Sequence, residues 1–221
     1  ATPQNELAVV ACLLHPLPPR SRRQRRRQKE VRRKVVCDRI EEAEKMDGGA
    51  GEKKHFVLVH GACHGAWCWY KLATLLSAAG HRVTAPDLAA CGTDTRRIQG
   101  VETFSEYSQP LTEVMSGLPK GEKVVLVGHS LGGLSLALAM DRFPEKVAAA
   151  VFVTAFMPDS SSKPSHVVDE YVKRTPRASW VDTHLSFDRG PDKPSTSMLF
   201  GPNFLSSMLY QLCSPEVYTY V

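Results

Sequence analysis

Four short runs of apolar, mostly β-branched residues alternate with helical segments between residues 55 and 154, and this alternation constrains the fold most. The runs lie at residues 56–59, 81–85, 124–127 and 148–154. Strands that are apolar along their whole length are buried on both faces, and helical connections between them make neighbouring strands parallel. The pattern therefore predicts an α/β fold, in which a parallel sheet core carries helices on both faces.

The segments between the strands carry the spacing and the stop signals of helices. They are residues 67–79 before Gly80, residues 103–117 ending at Gly117, and residues 131–142 before Pro144. Glycine and proline at these positions are typical helix terminators, because glycine accepts a left-handed backbone and proline cannot continue a helix.

Residues 157–221 lose this rhythm and mix serine, proline and aspartate with aromatic residues. Such a composition is expected of a lid over a sheet. The sequence thus predicts a core over residues 54–156 and part of a cap over residues 157–221, after a basic extension over residues 1–53. No internal repeat is visible.

The residues Gly128-His129-Ser130-Leu131-Gly132 stand between the third strand and its helix. A G-x-S-x-G string alone also occurs in ordinary turns, which is the alternative interpretation. Here the strand before it and the helix after it match the nucleophile elbow of α/β-hydrolases. We therefore predict that Ser130 is a nucleophile. The N–H of Leu131 is then placed to stabilise the oxygen that becomes negative when Ser130 attacks a carbonyl.

A second segment, His60-Gly61-Ala62, follows the first strand. Hydrolases place the other oxyanion donor after an early strand, so the N–H of Ala62 is the candidate. His60 and His129 are the histidines nearest these motifs in sequence. We expect His60 to shape its loop and His129 to be a structural neighbour of the nucleophile, with the role of general base as the alternative.

Five stretches together resemble the plant methylesterase and hydroxynitrile lyase family. They are HFVLVHGACHGAW at 55–67, DLAACGTD at 87–94, the elbow at 128–133, AFMPD at 155–159 and LYQLCSPE at 209–216. The resemblance implies a serine carboxylesterase that hydrolyses methyl salicylate, methyl jasmonate or methyl indole-acetate. Its alternatives are a non-catalytic binder of salicylate-like acids and a hydroxynitrile lyase.

Two sites within the family separate esterases from lyases. The lyases carry threonine at the position of Ala62 and glutamate and cysteine around the serine, whereas this chain has His129 and Leu131 there. The resemblance therefore implies the esterase branch. It also implies four lining positions for the acid or ester, and ordinary cap packing is the alternative for each. These positions are Phe156, Tyr171, Trp180 and Met198. The expected partner is a small ester or its acid product, and no metal or cofactor is implied.

Ser130 needs an imidazole to accept its proton and a carboxylate to orient that imidazole. In α/β-hydrolases these groups follow the serine in the order Asp or Glu, then His. The chain departs from the family pattern after residue 216, and His166 and His184 stand in the cap-like stretch. We therefore expect the base and its orienting carboxylate to be missing from this chain, the fourth strand to be an unpaired edge, and turnover to be slight.

The positive charge of the chain is confined to its first quarter. Lys and Arg outnumber Asp and Glu by 13 to 8 over residues 1–53 and equal them, 15 to 15, over residues 54–221. The arginine-rich run at 20–27 predicts disorder, because like charges repel and bury nothing. A nucleic-acid or nuclear-import patch and a plastid transit peptide are the alternatives. Met46 begins a polar leader, so we expect it to be the natural start.

Six scattered cysteines without a paired C-x-x-C favour reduced thiols in the cytoplasm over a disulfide framework. A plastid location follows only if residues 1–45 are a transit peptide. No apolar run reaches the roughly 18–20 residues that span a bilayer, so no membrane partner is expected. A nucleic-acid partner is equally unexpected for the neutral part of the chain.

Overall fold

A computed structural model describes residues 53–193 and 195–213. The predictions about the basic segment, about Met46 as the start and about the divergence after residue 216 lie outside the described residues.

A four-stranded parallel sheet forms the centre of the described structure. Its strands are β1 (His55–Val59), β2 (Arg82–Thr84), β3 (Val124–His129) and β4 (Val147–Val153). They lie in the order β2-β1-β3-β4, so the chain crosses from one side of β1 to the other between β2 and β3. All four predicted strands are present, and the predicted parallel α/β sheet is confirmed.

Helices connect these strands as the spacing predicts. They are α1 (Tyr70–Ala78), α2 (Phe104–Tyr107), α3 (Gln109–Gly117) and α4 (Gly132–Arg142). Helix α1 follows a 3₁₀ turn at Ala66–Trp69, and Gly80 adopts a φ of +84° just beyond its end, as the glycine signal predicts. Further 3₁₀ turns lie at Ile98–Gly100 and Pro144–Lys146.

The single helix predicted over residues 103–117 is instead two helices separated at Ser108. Pro110 explains the break, because its ring clashes with the carbonyl of Glu106 and it has no N–H to donate. The first helix begins with a capping box, in which the Thr103 hydroxyl accepts from the Glu106 N–H and the Glu106 carboxylate accepts from the Thr103 N–H.

Both faces of the sheet are apolar. Val57 and Val59 pack with Leu136 in one cluster, whereas Leu58 faces the other side and packs with Trp69. The three β1 side chains are fully buried. Since each such side chain stabilises the fold by about 1.5–3 kcal/mol, helices on both faces are needed to exclude water from them.

The residues after β4 lack the β/α rhythm of the sheet, and their assignment to a cap stays a prediction. They contain α5 (His166–Arg174), a 3₁₀ turn (Arg177–Trp180), the antiparallel hairpin of β5 (His184–Ser186) and β6 (Ser197–Leu199), α6 (Pro202–Phe204) and a π-helical turn (Leu205–Leu209).

Strand β4 lies at one edge of the sheet. Within the described residues it pairs with β3 alone, and its Val153 side chain is 39% exposed. The predicted unpaired fourth strand is therefore present in this part of the chain. Among the described helices, none combines the length and the apolarity needed to cross a bilayer.

Candidate active site

Ser130 follows directly after β3 and has a φ of +52°, in the left-handed region. Serine seldom adopts this conformation, which costs roughly 1–3 kcal/mol and persists only where the surroundings enforce it. The surroundings do so here, because the Phe156 and Gly133 N–H groups donate to the Ser130 carbonyl at 2.9 and 3.2 Å. The residue thus sits in the sharp strand-to-helix turn that the G-x-S-x-G motif predicts.

The two glycines of the motif are required by close packing on both sides of the turn. A Cβ on Gly128 would lie 2.8 Å from Leu136 Cδ1, and one on Gly132 would lie 2.7 Å from the carbonyl oxygens of Val59 and His60. Helix α4 can therefore approach β1 and β3 only if these positions lack side chains.

The loop after β1 lies against the nucleophile because β1 and β3 are in parallel register. Val59 pairs with Gly128, so the next residues of both strands run on side by side. At Gly61 the approach is so close that a Cβ would lie 2.9 Å from Ser130 Cβ. Ala62 is the next residue of this loop, so it lies near the elbow that carries Ser130.

The backbone N–H groups of Ala62 and Leu131 are free to donate to a bound ligand. Neither donates to a carbonyl or a side chain in the turns that hold them, as far as residues 53–193 and 195–213 extend. Paired N–H groups beside a nucleophile can stabilise an oxyanion. The structure therefore brings Ser130, Ala62 and Leu131 together, and their catalytic roles stay predictions.

His60 is fully buried and both of its ring nitrogens are occupied. Nδ1 lies 2.8 Å from the Gly61 carbonyl oxygen and therefore donates, while Nε2 accepts from the Leu88 N–H at 3.0 Å. Burial lowers the pKa of this imidazole. Because neither nitrogen is directed at Ser130, the geometry favours the loop-shaping role over the role of general base.

His129 precedes the nucleophile but packs among aromatic rings. Its ring meets Trp69 edge-on at 6.5 Å and His64 at 6.4 Å between centroids. Burial lowers its pKa from 6.5 to about 4, with further lowering by the nearby His64 and His60. An imidazole with this pKa is neutral at physiological pH and is a poor proton acceptor.

Four further histidines of the described chain have no hydrogen bond to Ser130, and one of them, His81, accepts from the Lys54 N–H at 3.3 Å. His55 lies at the opposite end of β1 and is held by Glu122 and Thr84, each at 2.8 Å. His166 and His184, which the sequence places in the cap, are exposed. Among the residues described, no cluster of three or more His, Cys, Asp or Glu side chains is arranged to hold a metal ion.

Three of the four predicted lining residues form a continuous aromatic wall. Phe156, whose N–H donates to the Ser130 carbonyl, meets Tyr171 edge-on at 5.3 Å between centroids, and Tyr171 meets Trp180 at 6.2 Å. The wall continues to Phe204, which stacks on Trp180 at 6.2 Å. Met198 is joined to the site differently, because its carbonyl accepts from the Cys63 thiol at 3.3 Å.

His64 and Tyr210 also belong to this site, and residue patterns alone did not single them out. His64 Nδ1 lies 2.8 Å from the Ala62 carbonyl oxygen, and His64 Nε2 makes a hydrogen bond with the Tyr210 hydroxyl. Both residues fall within the stretches at 55–67 and 209–216 that resemble the plant esterases. That location is the one signal that marked them.

Asp87 ties the loop after β1 to the loop after β2. Its carboxylate accepts from the Ala66 N–H at 2.6 Å and from the Thr93 N–H and hydroxyl at 2.9 and 2.8 Å. Burial alone raises the pKa of this carboxyl, but these donors outweigh burial and the net pKa is lowered. The charged Asp87 carboxylate is therefore a brace between the loop after β1 and the loop after β2.

The sequence profile described as the Alpha/beta hydrolase family matches residues 56–217. The chain belongs to the alpha/beta hydrolase family. This match and the parallel sheet confirm the predicted hydrolase fold.

Relatives within the hydrolase family include plant esterases. Salicylic acid-binding protein 2 of Nicotiana tabacum is 59% identical over 165 residues, which cover 75% of this chain and 64% of that protein. Methyl jasmonate esterase 1 of Vitis vinifera is 52% identical over 164 residues, covering 74% and 62%. The crystal structure of polyneuridine aldehyde esterase matches with a TM-score of 0.71 at 48% identity, covering 75% and 65%.

The predicted resemblance to plant methylesterases is confirmed by these relatives. This hydrolase chain spans less than two thirds of the length of each of them.

Proposed function

We propose that this chain carries the nucleophile and oxyanion half of a serine carboxylesterase that acts on small methyl esters of aromatic or cyclic acids. The observation that carries the proposal is the close approach of the Gly61–Ala62 loop to Ser130. This approach supports the role of the Ala62 and Leu131 N–H groups as donors to the carbonyl oxygen of an ester that Ser130 attacks. A hydrolase elbow without such donors would lack the main stabilisation of acyl-transfer chemistry.

The reaction follows from this arrangement. Ser130 Oγ attacks the ester carbonyl carbon, and the carbonyl oxygen takes the electron pair while the Ala62 and Leu131 N–H groups donate to it. The intermediate then expels methoxide, which leaves as methanol after protonation and gives an acyl-serine. Water attacks the acyl-serine in the same way and releases the carboxylic acid.

The proton transfers in this sequence require an imidazole. The described histidines are either engaged elsewhere, too weakly basic or exposed in the cap. We therefore propose that the general base and its orienting carboxylate lie outside residues 53–193 and 195–213. The described residues without these groups would be a slow catalyst, limited to roughly 10³–10⁴-fold over water.

The aromatic wall supports a flat, mostly apolar acid as the acyl group. Phe156, Tyr171 and Trp180 present ring faces and edges that suit an aryl or cyclopentanone ring. The names of two relatives agree, since one binds salicylic acid and another is an esterase of methyl jasmonate. Methyl salicylate, methyl jasmonate and methyl indole-acetate are accordingly the substrates to test.

A second candidate function is binding of salicylate-like acids without turnover. One observation favours it: the aromatic wall is continuous in the described chain, whereas no base reaches Ser130 there. The lyase alternative has less support, because Ala62 carries no hydroxyl to hold a cyanohydrin oxygen.

A cytoplasmic location is also proposed. The cysteines of the described residues, Cys63, Cys68, Cys91 and Cys213, are all free thiols, which suits a reducing compartment.

Chemical rescue distinguishes the esterase from the binder. The 221-residue chain and its Ser130→Ala variant are incubated with methyl salicylate while free imidazole is added as a substitute base. An esterase half-site gives an imidazole-dependent release of salicylate that Ser130→Ala abolishes. Equal release from both chains, combined with a melting temperature raised by salicylate in both, would establish the binder instead.

A further inference from the structure

The loop that carries Ala62 is held in an unusual conformation. Cys63, the next residue, has a φ of +57°, in the left-handed region that residues with a Cβ rarely adopt. Such a backbone requires external support. Two contacts with the cap supply it, one from Cys63 and one from His64.

His64 closes the loop on itself through its Nδ1. This nitrogen lies 2.8 Å from the Ala62 carbonyl oxygen, and because a carbonyl only accepts, Nδ1 carries the hydrogen and donates. The bond fixes the peptide that follows Ala62 and so limits rotation about the Ala62 backbone. The direction of the Ala62 N–H is thereby coupled to the position of the His64 ring.

The tautomer of His64 also determines which group donates in the hydrogen bond between His64 Nε2 and the Tyr210 hydroxyl. With the hydrogen on Nδ1, the neutral ring has a free lone pair on Nε2, so the Tyr210 hydroxyl donates to Nε2. Tyr210 follows the π-helical turn of the cap and lies 146 residues further along the chain. The Cys63 thiol makes a second contact with the cap, because it donates to the Met198 carbonyl on β6.

We propose that His64 and Tyr210 are positioning residues that hold the oxyanion loop through a hydrogen-bonded relay from the Tyr210 hydroxyl to the His64 ring to the Ala62 carbonyl. This inference rests on the proposed esterase function, because it gives Ala62 the role of an oxyanion donor. It adds that the cap sets the geometry of the oxyanion site, so docking of residues 205–213 and assembly of that site are coupled.

The test uses the 221-residue chain with Ser130→Cys, which needs no general base. A thiol is partly ionised at pH 8.5, attacks p-nitrophenyl benzoate, and forms a thioester as p-nitrophenolate leaves with the electron pair. The saturating rate constant and the half-saturating ester concentration are measured separately. Substitution of a positioning residue changes the saturating rate constant and leaves the half-saturating ester concentration nearly unchanged. A gross structural defect changes both quantities.

His64→Ala in this background is expected to lower the saturating rate constant about 10- to 100-fold. Tyr210→Phe removes the outer bond only and is expected to lower it about 3- to 10-fold. His166→Ala removes an exposed histidine of the cap and serves as the matched control, with no change expected.

Two conservative variants separate positioning from packing. Asparagine at position 64 reaches the place of Nδ1 and keeps a donor for the Ala62 carbonyl, whereas glutamine reaches the place of Nε2 and keeps the acceptor for Tyr210. The relay predicts that His64→Asn restores most of the rate constant and that His64→Gln does not.

The outcomes are distinguishable. If Ser130→Cys is not acylated although His64 is intact, the proposed function fails. If it is acylated and the four variants at positions 64 and 210 share its rate constant, the relay is overturned while the function stands. Equal recovery by asparagine and glutamine would likewise overturn the relay, because side-chain volume would then be sufficient.

Discussion

Gly61 and Ser130 lie so close together that a Cβ on the glycine would stand 2.9 Å from the serine Cβ. The two residues come from different loops, and the parallel register of β1 and β3 brings them together. The contact sets how closely the loop after β1 can approach the nucleophile. A glycine at position 61 is therefore a requirement of the site and not only of the turn.

Gly61→Ala is expected to destabilise the fold by about 1–3 kcal/mol, because the new methyl group meets Ser130 Cβ and the His129 backbone and forces the loops apart. Urea unfolding measures the change. Gly117→Ala is the matched control, since a Cβ there meets nothing within 4 Å. Equal stability of the two variants would show that the loops separate without cost.

Asp87→Ala is expected to cost about 2–4 kcal/mol, because it leaves the Ala66 and Thr93 N–H groups without the carboxylate that accepts from them. The free energy of unfolding in urea reports this loss. Asp141→Ala, which removes an exposed aspartate from α4, is expected to change stability by less than about 0.5 kcal/mol. A loss at Asp87 no larger than at Asp141 would mean that the brace is unimportant.

Trp180→Ala is expected to weaken salicylate binding about 10-fold, since it removes the ring between Tyr171 and Phe204 from the aromatic wall. Isothermal titration of the 221-residue chain with salicylate measures the change. Tyr70→Ala removes an aromatic ring that is 52% exposed and lies outside the wall, so it should bind like the parent chain. Unchanged affinity in Trp180→Ala would place the ligand elsewhere.

Stability is expected to fall as the pH drops from about 6.5 towards 4. Burial lowers the pKa of His129 from 6.5 to about 4, and it also lowers the pKa of His60 and His64. The unfolded chain therefore binds more protons than the folded chain below pH 6.5. For His129 the stability is complete above this pH and is lost at about 1.4 kcal/mol per pH unit between pH 6.5 and 4, and His60 and His64 act in the same direction.

Urea unfolding at pH 7.5 and pH 5.5 measures this loss. His129→Gln should reduce the difference between the two pH values, and His166→Gln, at an exposed position, should not. The window lies above the range in which carboxylates titrate, so Asp87 contributes little to it. An identical pH dependence in the parent chain and His129→Gln would contradict the pKa assigned to His129.

Local patterns in the sequence predicted the elements whose causes are local. The strands followed from apolar runs, and the elbow at Ser130 followed from two glycines that must be bare for helix and strands to touch. The division of residues 103–117 into two helices was also readable, because Pro110 is incompatible with one continuous helix. Pro110, taken as a stronger signal than the apolar spacing, predicts the break between the two helices.

Contacts between residues that are far apart in the sequence could not be predicted from local patterns. His64 and Tyr210 are 146 residues apart, and only the folded cap brings them together. The sheet order, with β1 between β2 and β3, is equally a tertiary property. The lining residues came from a resemblance, and the contact of Phe156 with Tyr171 that makes them a wall became visible only in three dimensions.

Reaction of the Ser130→Cys chain with p-nitrophenyl benzoate places the introduced thiol in competition with the native cysteines. Burial raises the pKa of the Cys63 thiol to about 11 and that of Cys68 to about 12, and it also raises the pKa of Cys91, so these three thiols are mostly protonated at pH 8.5. Peptide mapping distinguishes Cys12 and Cys37 from position 130. Cys213 is exposed and serves as the internal reference for a thiol outside the elbow.

The most direct test of the account is to find which residue of that chain carries the acyl group. Peptide mass mapping should place the benzoyl group on the introduced thiol at position 130, with salicylate slowing its formation and urea abolishing its rate advantage over Cys213. Benzoylation of Cys213 without labelling at position 130, or labelling at position 130 that urea and salicylate leave unchanged, would contradict a preorganised nucleophile site there.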